Sequence, residues 1–512
     1  MNAKSRSFRR KIIYLVAIGA LLGVLSWLGR PSTSDTERAK GSPGGLLAQL
    51  REKERLSQAR LGEIDPTSET IKLATLGMRG VAANILWGKA NAYKDRKDWT
   101  NLSATLEQIT RLQPNFISVW QFQAWNLSYN VSVEFDDFRD RYRWVIRGIN
   151  FLKKGREYNR LEPRLLWDIG WVISQKIGRS DERLQFRKMF VRDDEFHGGR
   201  PLELRDNWLV GKEWFRGAEA MVDSPEYPEV SMKAKSPLLF RSDGPMCQMN
   251  YAEGIETDGS TYGRPRFGDV ARFAWRDAAR EWDEYGSIDL PTSVGISIQL
   301  NDQERFEKIA KKLAAKIDDL EPGLREKILA EARAKLTEEQ LEAIDTPMAE
   351  RTVEQEELIA PVKHTVEISD IDVAKRITEP NRKKAIDLAK RAFVATQTAG
   401  LIERQRQVVN FVYWRRRAQV EQDEDTLSAR SLIYEGNEAF VEADLPAARD
   451  FYDRGLAAWR RVLDKYPDLI SDFTFGDDMM IVIERYRRIL GQLDEPFPEK
   501  FILQDVIDEQ KK

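Results

Sequence analysis

The chain has 512 residues, more than one hydrophobic core normally holds, so two or more packed regions are expected. Its 81 basic and 83 acidic side chains nearly cancel to a net charge of −2, which disfavours nucleic-acid binding. The single cysteine, Cys247, excludes an internal disulfide framework and a metal site built from several thiolates.

The N-terminus has the pattern of a membrane anchor. Residues 1–11 form a basic tail without acidic residues, and residues 12–29 are uncharged. An uncharged helix of that length spans about 27 Å, enough for a hydrocarbon core. Because the run ends in Trp27-Leu28-Gly29-Arg30 rather than at small residues, we predict a retained signal anchor, with a cleaved signal peptide as the alternative. The positive-inside rule then places the tail in the cytoplasm and the body in the periplasm or another extracytoplasmic space.

Residues 30–66 are predicted to form a stalk and a spacer helix. The first part, 31–45, is rich in Pro, Ser, Thr and Gly and has little to bury. Residues 46–60 are charged and helix-forming, and Asp65-Pro66 ends this segment.

From Thr67 onward, apolar residues recur at helical intervals, and no hairpin signal appears until well past residue 200. We therefore predict an all-α fold, with residues 67–290 as an array of helices. A proline-rich insertion at 223–246 contains four prolines and is expected to interrupt this array as an ordered loop.

Two similar stretches, "RLQPNFISVW" at 111–120 and "RLEPRLLWDI" at 160–169, indicate an internal repeat. Their prolines, Pro114 and Pro163, lie 49 residues apart. Each is predicted to begin a helix, where proline costs no hydrogen bond, and each helix is expected to bury a tryptophan, Trp120 or Trp167. One helix pair cannot cover its own apolar face, so the pairs are expected to stack.

Two regions carry small and large apolar residues in a shared pattern. In the first they are Leu86, Ala90, Tyr93, Leu106 and Pro114; in the second they are Leu432, Gly436, Ala448, Tyr452 and Gly455. This pattern resembles the tetratricopeptide repeat (TPR) family. The opening segment "LGMRGVAANILW" at 76–87 resembles uncharacterised bacterial membrane-anchored TPR-like proteins. The resemblance implies a single transmembrane helix followed by a degenerate TPR-like array of helical hairpins, an α-solenoid.

The remaining regions are also predicted to be helical. Residues 291–370 read as a charged helical linker region, in which Thr337 and Gln340 have the spacing of a capping box. Residues 371–512 read as a C-terminal TPR-like helical region.

No motif predicts catalysis, a cofactor or a metal. Asp194 and His197 have the three-residue spacing of the metal-binding pairs in di-iron bundles, but His364 has no matching carboxylate for a second pair. Phosphate-binding, nucleophile-elbow and dinucleotide motifs are absent from the sequence. We therefore expect a protein that is not an enzyme.

The TPR resemblance implies a concave surface that receives an extended peptide. By that register, the candidate partner groove contains Asn84, Trp87, Asn91, Lys94, Gln121, Trp125 and Ser128. Packing between helical layers is the alternative role for the two tryptophans. We expect Trp125 in the core, because Ala124 beside it occupies a buried repeat position, and we expect Trp87 to be partly exposed.

These features together predict a membrane-tethered helical-repeat scaffold for protein–protein interactions on the extracytoplasmic side of a bacterial membrane. Its partners would be other envelope or membrane proteins, and residues 12–29 would contact the lipid bilayer. The alternative is a glycan-binding or glycan-processing envelope factor, since tryptophan-rich clefts also stack sugars.

Overall fold

The computed structural model describes residues 79–232, 235–259, 261 and 263–511, together with residues 13, 14, 16–21, 24, 27, 45, 46 and 49. The anchor predicted at 12–29 lies partly outside this set, and the stalk predicted at 30–66 lies largely outside it. No helix among the described residues is both long enough and apolar enough to cross a membrane.

The structure confirms the all-α prediction. Within the described residues, the only strand pairing is a short antiparallel contact of Leu290–Pro291 with Ser297–Ile298. The chain forms two compact units. The N-terminal unit contains the described residues up to Met232 and residues 258–264, and the C-terminal unit contains residues 235–257 and the chain from Pro265 onward.

From Arg79 onward, the described residues of the N-terminal unit form eight α-helices. They are α1 (Arg79–Asp95), α2 (Trp99–Leu112), α3 (Ile117–Trp125), α4 (Phe138–Tyr158), α5 (Pro163–Trp171), α6 (Arg183–Val191), α7 (Asp194–His197) and α8 (Asn207–Val222). Two of them continue without a break into π-helices, α3 into Asn126–Val131 and α5 into Val172–Ile177.

The helices of the C-terminal unit are α9 (Pro237–Thr257), α10 (Asp269–Gly286), α11 (Gln303–Asp318), α12 (Leu324–Arg333), α13 (Glu338–Asp345), α14 (Val353–Ile359), α15 (Lys363–Val366), α16 (Asp370–Arg376), α17 (Arg382–Val408), α18 (Phe411–Glu421), α19 (Glu424–Val441), α20 (Leu445–Lys465), α21 (Phe473–Gln492) and α22 (Gln504–Glu509). The predicted capping box of Thr337 and Gln340 is confirmed at the start of α13.

The expectation that 223–246 forms a loop is wrong for its last ten residues. Helix α9 begins at Pro237 and continues through Pro245. At the first helical position proline loses no intrahelical hydrogen bond, whereas inside a helix it removes one. Tertiary packing offsets that loss, because Pro245 is buried in the unit.

An internal repeat is present, but its period is 46 residues rather than 49. We call Ile117–Val131 segment A and Pro163–Ile177 segment B; each is a nine-residue α-helix followed by a six-residue π-helix. The first residues, 117 and 163, differ by 46, as do the first π residues, 126 and 172. The two prolines of the sequence motif are not equivalent, since Pro163 starts segment B whereas Pro114 lies in the turn before segment A.

Each segment packs against a following helix through a glycine. A Cβ at Gly148 of α4 would overlap the hydroxyl of Ser128 in segment A. A Cβ at Gly211 of α8 would overlap the hydroxyl of Ser174 in segment B. The two serines are again 46 residues apart, so the same close approach of backbones occurs in both repeats.

Trp120 is buried as predicted, with 1% of its surface exposed. Its ring lies against Gly155 of α4, and its Nε1 donates a hydrogen bond to the Pro114 carbonyl at 2.7 Å. Asn159 donates to the same carbonyl at 2.9 Å. Pro114 therefore stabilises the turn as a hydrogen-bond acceptor. Trp167 of segment B, which was also expected to be buried, remains partly exposed.

In the C-terminal unit, α19 and α20 also approach closely through glycines. A Cβ at Gly436 would lie 2.6 Å from the Tyr452 ring, and a Cβ at Gly455 would lie 2.8 Å from Ile433. These glycines are the small residues that the sequence pattern singled out.

The same unit contains a cluster of buried charges. Arg430 donates to Glu421 at 2.5 Å and lies 3.7 Å from Glu256, while the Trp275 indole donates to Glu256 at 2.5 Å. Burial raises the pKa of Glu256 to about 7. The attraction of Arg430 opposes this shift, but Arg430 is already paired with Glu421, whose negative charge raises the pKa of Glu256 further.

We predict that Gly155→Ala destabilises the protein by about 1–3 kcal/mol, the usual cost of overpacking, because the added Cβ would lie 2.8 Å from the Trp120 ring. The control is Gly88→Ala in α1, where a Cβ meets nothing within 4 Å. That change should stabilise the protein by up to about 1 kcal/mol through helix propensity. Thermal unfolding of both variants tests this, and an unchanged melting temperature for Gly155→Ala would contradict the packing described.

We predict that Glu256→Gln makes the protein more heat-stable at alkaline pH. A carboxyl whose folded pKa is raised stabilises the folded state below its unfolded pKa of about 4.5 and loses that contribution as the pH rises through about 7. Glutamine mimics the neutral acid and retains an acceptor for Trp275. The melting temperature should therefore exceed that of the wild type by about 2–4 °C or more at about pH 8 and match it near pH 5.

The matched control for this experiment is Glu435→Gln, which removes the same charge from an exposed position of α19. It should show no such pH-dependent difference. A Glu256→Gln variant that is less stable than the wild type at alkaline pH would show that the ionised carboxylate stabilises the folded protein, which contradicts a raised pKa for Glu256.

Candidate functional site

An open groove in the N-terminal unit is lined mainly by aromatic side chains, and we call it the aromatic groove. Its volume is about 690 Å³. The aromatic lining residues are Trp87, Phe122, Trp125, Tyr129, Trp167 and Trp171. The polar lining residues are Ser118, Gln121 and Asp168.

The 46-residue repeat explains why tryptophans of segments A and B line the same groove. Trp125 and Trp171 occupy equivalent positions, each the last α-helical residue before a π-helix. Trp125 stacks on Tyr129 with ring centroids 6.2 Å apart, and Trp171 lies 5.8 Å from Trp167. Each segment therefore contributes a pair of neighbouring rings to the lining.

A polar contact joins the two segments inside the groove. The Gln121 side chain of segment A donates to Asp168 of segment B at 2.6 Å. This hydrogen bond holds an amide and a carboxylate at a fixed separation within a mainly apolar lining. Such a small number of polar groups in an aromatic surface is typical of a site that orients a ligand.

Two lysines lie against rings of the groove. The ammonium of Lys94 is 5.5 Å from the Phe122 centroid, and that of Lys176 is 5.3 Å from the Tyr129 centroid. Burial lowers the pKa of Lys176 and raises the pKa of Tyr129 to about 12. The Tyr129 hydroxyl therefore stays protonated at neutral pH and can donate a hydrogen bond.

Of the predicted groove residues, Trp87, Gln121 and Trp125 line the aromatic groove. The exposed residues Asn84, Asn91 and Lys94 are on α1 but are not part of this lining.

The structure corrects two expectations. Ser128 is fully buried against Gly148 and cannot contact a ligand, because the π-helix turns it away from the face that α-helical spacing predicts. Trp125 is 47% exposed rather than part of the core. Consecutive residues of a helix point about 100° apart, so the burial of Ala124 does not bring Trp125 inside.

The sequence did not predict six of the aromatic and polar lining residues: Ser118, Phe122, Tyr129, Trp167, Asp168 and Trp171. A signal for two of them was present, since Trp167 and Trp171 are four residues apart and therefore share one helix face. Their structural relation to Trp125 could be recognised only from the repeat period of 46 residues. The spacing of Pro114 and Pro163 indicated a period of 49 residues instead.

Asp194 and His197 have local structural roles. The Asp194 carboxylate pairs with Arg205 at 2.6 Å, and the His197 ring lies at hydrogen-bond distance, 2.8 Å, from the Phe190 carbonyl. Burial lowers the pKa of His197. Across the described part of the chain, no group of three or more His, Cys, Asp or Glu side chains is positioned to hold a metal ion.

No protein-family model, curated protein or solved structure matches this chain.

We predict that Trp125→Ala leaves the free energy of unfolding within about 1 kcal/mol of the wild type, because half of the ring is already in contact with solvent. Trp120→Ala, five residues earlier, should cost about 3–5 kcal/mol as a large core truncation. Thermal or denaturant unfolding of the two variants measures this difference. Equal losses would show that Trp125 is a packing residue and not a surface for a ligand.

Proposed function

We propose that this chain is a helical-repeat binding protein whose aromatic groove receives an extended segment of a partner protein. The observation that carries the proposal is the exposure of Trp125, 47%, within a groove lined by five further aromatic rings. Exposed clusters of large apolar side chains mark interaction sites in soluble domains. Tryptophan and tyrosine are also the residues that most often dominate binding energy.

The groove's size and lining favour an extended peptide. A volume of 690 Å³ lies within the usual range of about 300–1,000 Å³ for ligand sites and is suited to a few side chains at a time. Aromatic-lined grooves bind proline-rich segments, whose extended conformation is already formed before binding. We therefore propose a partner segment that contains proline and apolar residues.

The wider function follows from the proposed architecture. The hairpin of α1 and α2 and the repeated segments A and B support a TPR-like array, in which stacked units present a continuous binding surface. The basic tail and apolar run support a membrane tether at residues 12–29. We propose a scaffold that holds other envelope proteins on the extracytoplasmic side of a bacterial membrane without a catalytic step of its own.

A glycan is the second candidate ligand, and a specific observation favours it. Trp167 and Trp171 lie beside Asp168, which accepts a hydrogen bond from Gln121. Sugar rings pack on aromatic faces while their hydroxyls bond to carboxylates and amides. Asp168 is the only carboxylate among the lining residues of the groove, whereas glycosidases ordinarily use two, so this candidate is a glycan-binding protein rather than a hydrolase.

The test is photo-crosslinking of the full-length protein in intact cells through a photoreactive residue at Ser118, which is exposed and lines the groove. We expect a discrete protein adduct whose yield falls at least about tenfold with Trp125→Ala, as when an interface hot spot is truncated. Trp144→Ala is the matched control, because this partly exposed tryptophan stacks on Phe135 outside the groove.

The outcomes separate the two candidates. A protease-sensitive adduct that depends on Trp125 supports the peptide-binding scaffold. An adduct that resists protease and is released by glycan-degrading enzymes supports the glycan-binding alternative. Absence of an adduct, or an adduct equally reduced by Trp144→Ala, contradicts a binding role for the aromatic groove.

A further inference from the structure

A second cavity, of about 610 Å³, lies entirely within the C-terminal unit and shares no residue with the aromatic groove. Helices α17 to α21 supply most of its lining, and the lining is rich in charges of both signs. Its carboxylates are Glu403, Glu421, Asp468, Asp472 and Asp478. Its guanidinium groups are Arg406, Arg416, Arg417 and Arg430. We call this cavity the charged pocket.

One buried carboxylate oxygen in the charged pocket lacks a hydrogen-bond partner. Glu421 is only 5% exposed, and its Oε1 accepts the hydrogen bond from Arg430 at 2.5 Å. Its Oε2 is buried and has no donor among the described residues. A buried acceptor without a donor loses the free energy of its lost hydration, so the Glu421 carboxylate, which lines the pocket, has spare acceptor capacity for a donor on a bound molecule.

Donors near Glu421 are also incompletely used. The Arg417 guanidinium lies 3.5 Å from Glu253 and 3.6 Å from Glu421, longer than strong charge-assisted hydrogen bonds. The Nε of Arg430 has no hydrogen-bond partner. Arg416, by contrast, is held by Asp468 through two bonds of 3.0 and 2.5 Å. Three residues of the pocket lining, Glu421, Arg417 and Arg430, therefore have unused hydrogen-bonding capacity.

The charges of the lining indicate which ligand class fits. Five carboxylates and four guanidinium groups nearly cancel, so a strongly charged ligand of either sign would meet groups that repel it. A hydroxyl group both donates and accepts, and it can therefore use Glu421 and Arg417 together. The rings of Tyr413, Trp459 and Phe475 add apolar surface for the C–H faces of a sugar.

We propose that the charged pocket binds a neutral polyhydroxylated ligand, a mono- or disaccharide, one of whose hydroxyls donates to the Glu421 carboxylate and accepts from Arg417. The volume of 610 Å³ is sufficient for a ligand of this size. The proposal does not depend on the aromatic groove, because the two cavities lie in different units.

The experiment measures binding of probes to the purified full-length protein by saturation-transfer NMR and calorimetry. The probes are a panel of neutral mono- and disaccharides, with spermidine as a cationic control and citrate as an anionic control. We expect at least one neutral sugar to bind, and Glu421→Gln to weaken this binding at least about tenfold. Trp125→Ala, which alters only the aromatic groove, should leave it unchanged.

A second variant guards against a loss of folding. If Glu421→Gln lowers the melting temperature, Tyr413→Ala replaces it, because this partly exposed ring lines the pocket without taking part in the Glu421 and Arg430 pair. Sugar binding that survives both Glu421→Gln and Tyr413→Ala overturns the proposal. Binding of spermidine or citrate alone, or of none of the probes, also overturns it. Sugar binding lost with Trp125→Ala would instead place the sugar in the aromatic groove.

Discussion

Contact between a glycine and a serine sets the distance between paired helices in the N-terminal unit. Gly148 admits the Ser128 hydroxyl, and Gly211 admits the Ser174 hydroxyl. A side chain at either glycine would force the backbones apart, because interiors are packed too densely to absorb the added volume. With one face of segment A fixed against α4 in this way, residues on other faces, Trp125 among them, remain available to line the groove.

The π-helices are the second part of this arrangement. Both serines lie within π-helical turns, at the same place in segments A and B. A π-helix has its hydrogen bonds five residues apart instead of four, so it changes which residues face the neighbouring helix. Such turns are frequent at functional sites, and here each one follows directly after a tryptophan of the groove.

The sequence predicted those features that depend on local patterns. Helical periodicity identified the all-α fold, and the small residues of the sequence pattern, Gly436 and Gly455, lie where α19 and α20 approach closely. Prediction from the sequence failed where residues in similar sequence motifs occupy different structural positions. Pro114 and Pro163 look equivalent, yet one accepts hydrogen bonds in a turn and the other begins a helix. Ser128 was misplaced because nothing in the sequence marks a change from α- to π-helical spacing.

The two units differ in the kind of group they place at a cavity. The N-terminal unit exposes aromatic rings that a ligand would cover, whereas the C-terminal unit places ionisable groups around one arginine. Arg430 lies between two carboxylates and forms its short hydrogen bond with only one of them, Glu421. Glu256 is left with a donor from Trp275 and with a pKa of about 7, so it is partly protonated at neutral pH. Protonation of Glu256 removes the competing negative charge and favours the pairing of Arg430 with Glu421. Glu421, the carboxylate of the charged pocket that pairs with Arg430, is thus held in place because the neighbouring Glu256 does not fully ionise.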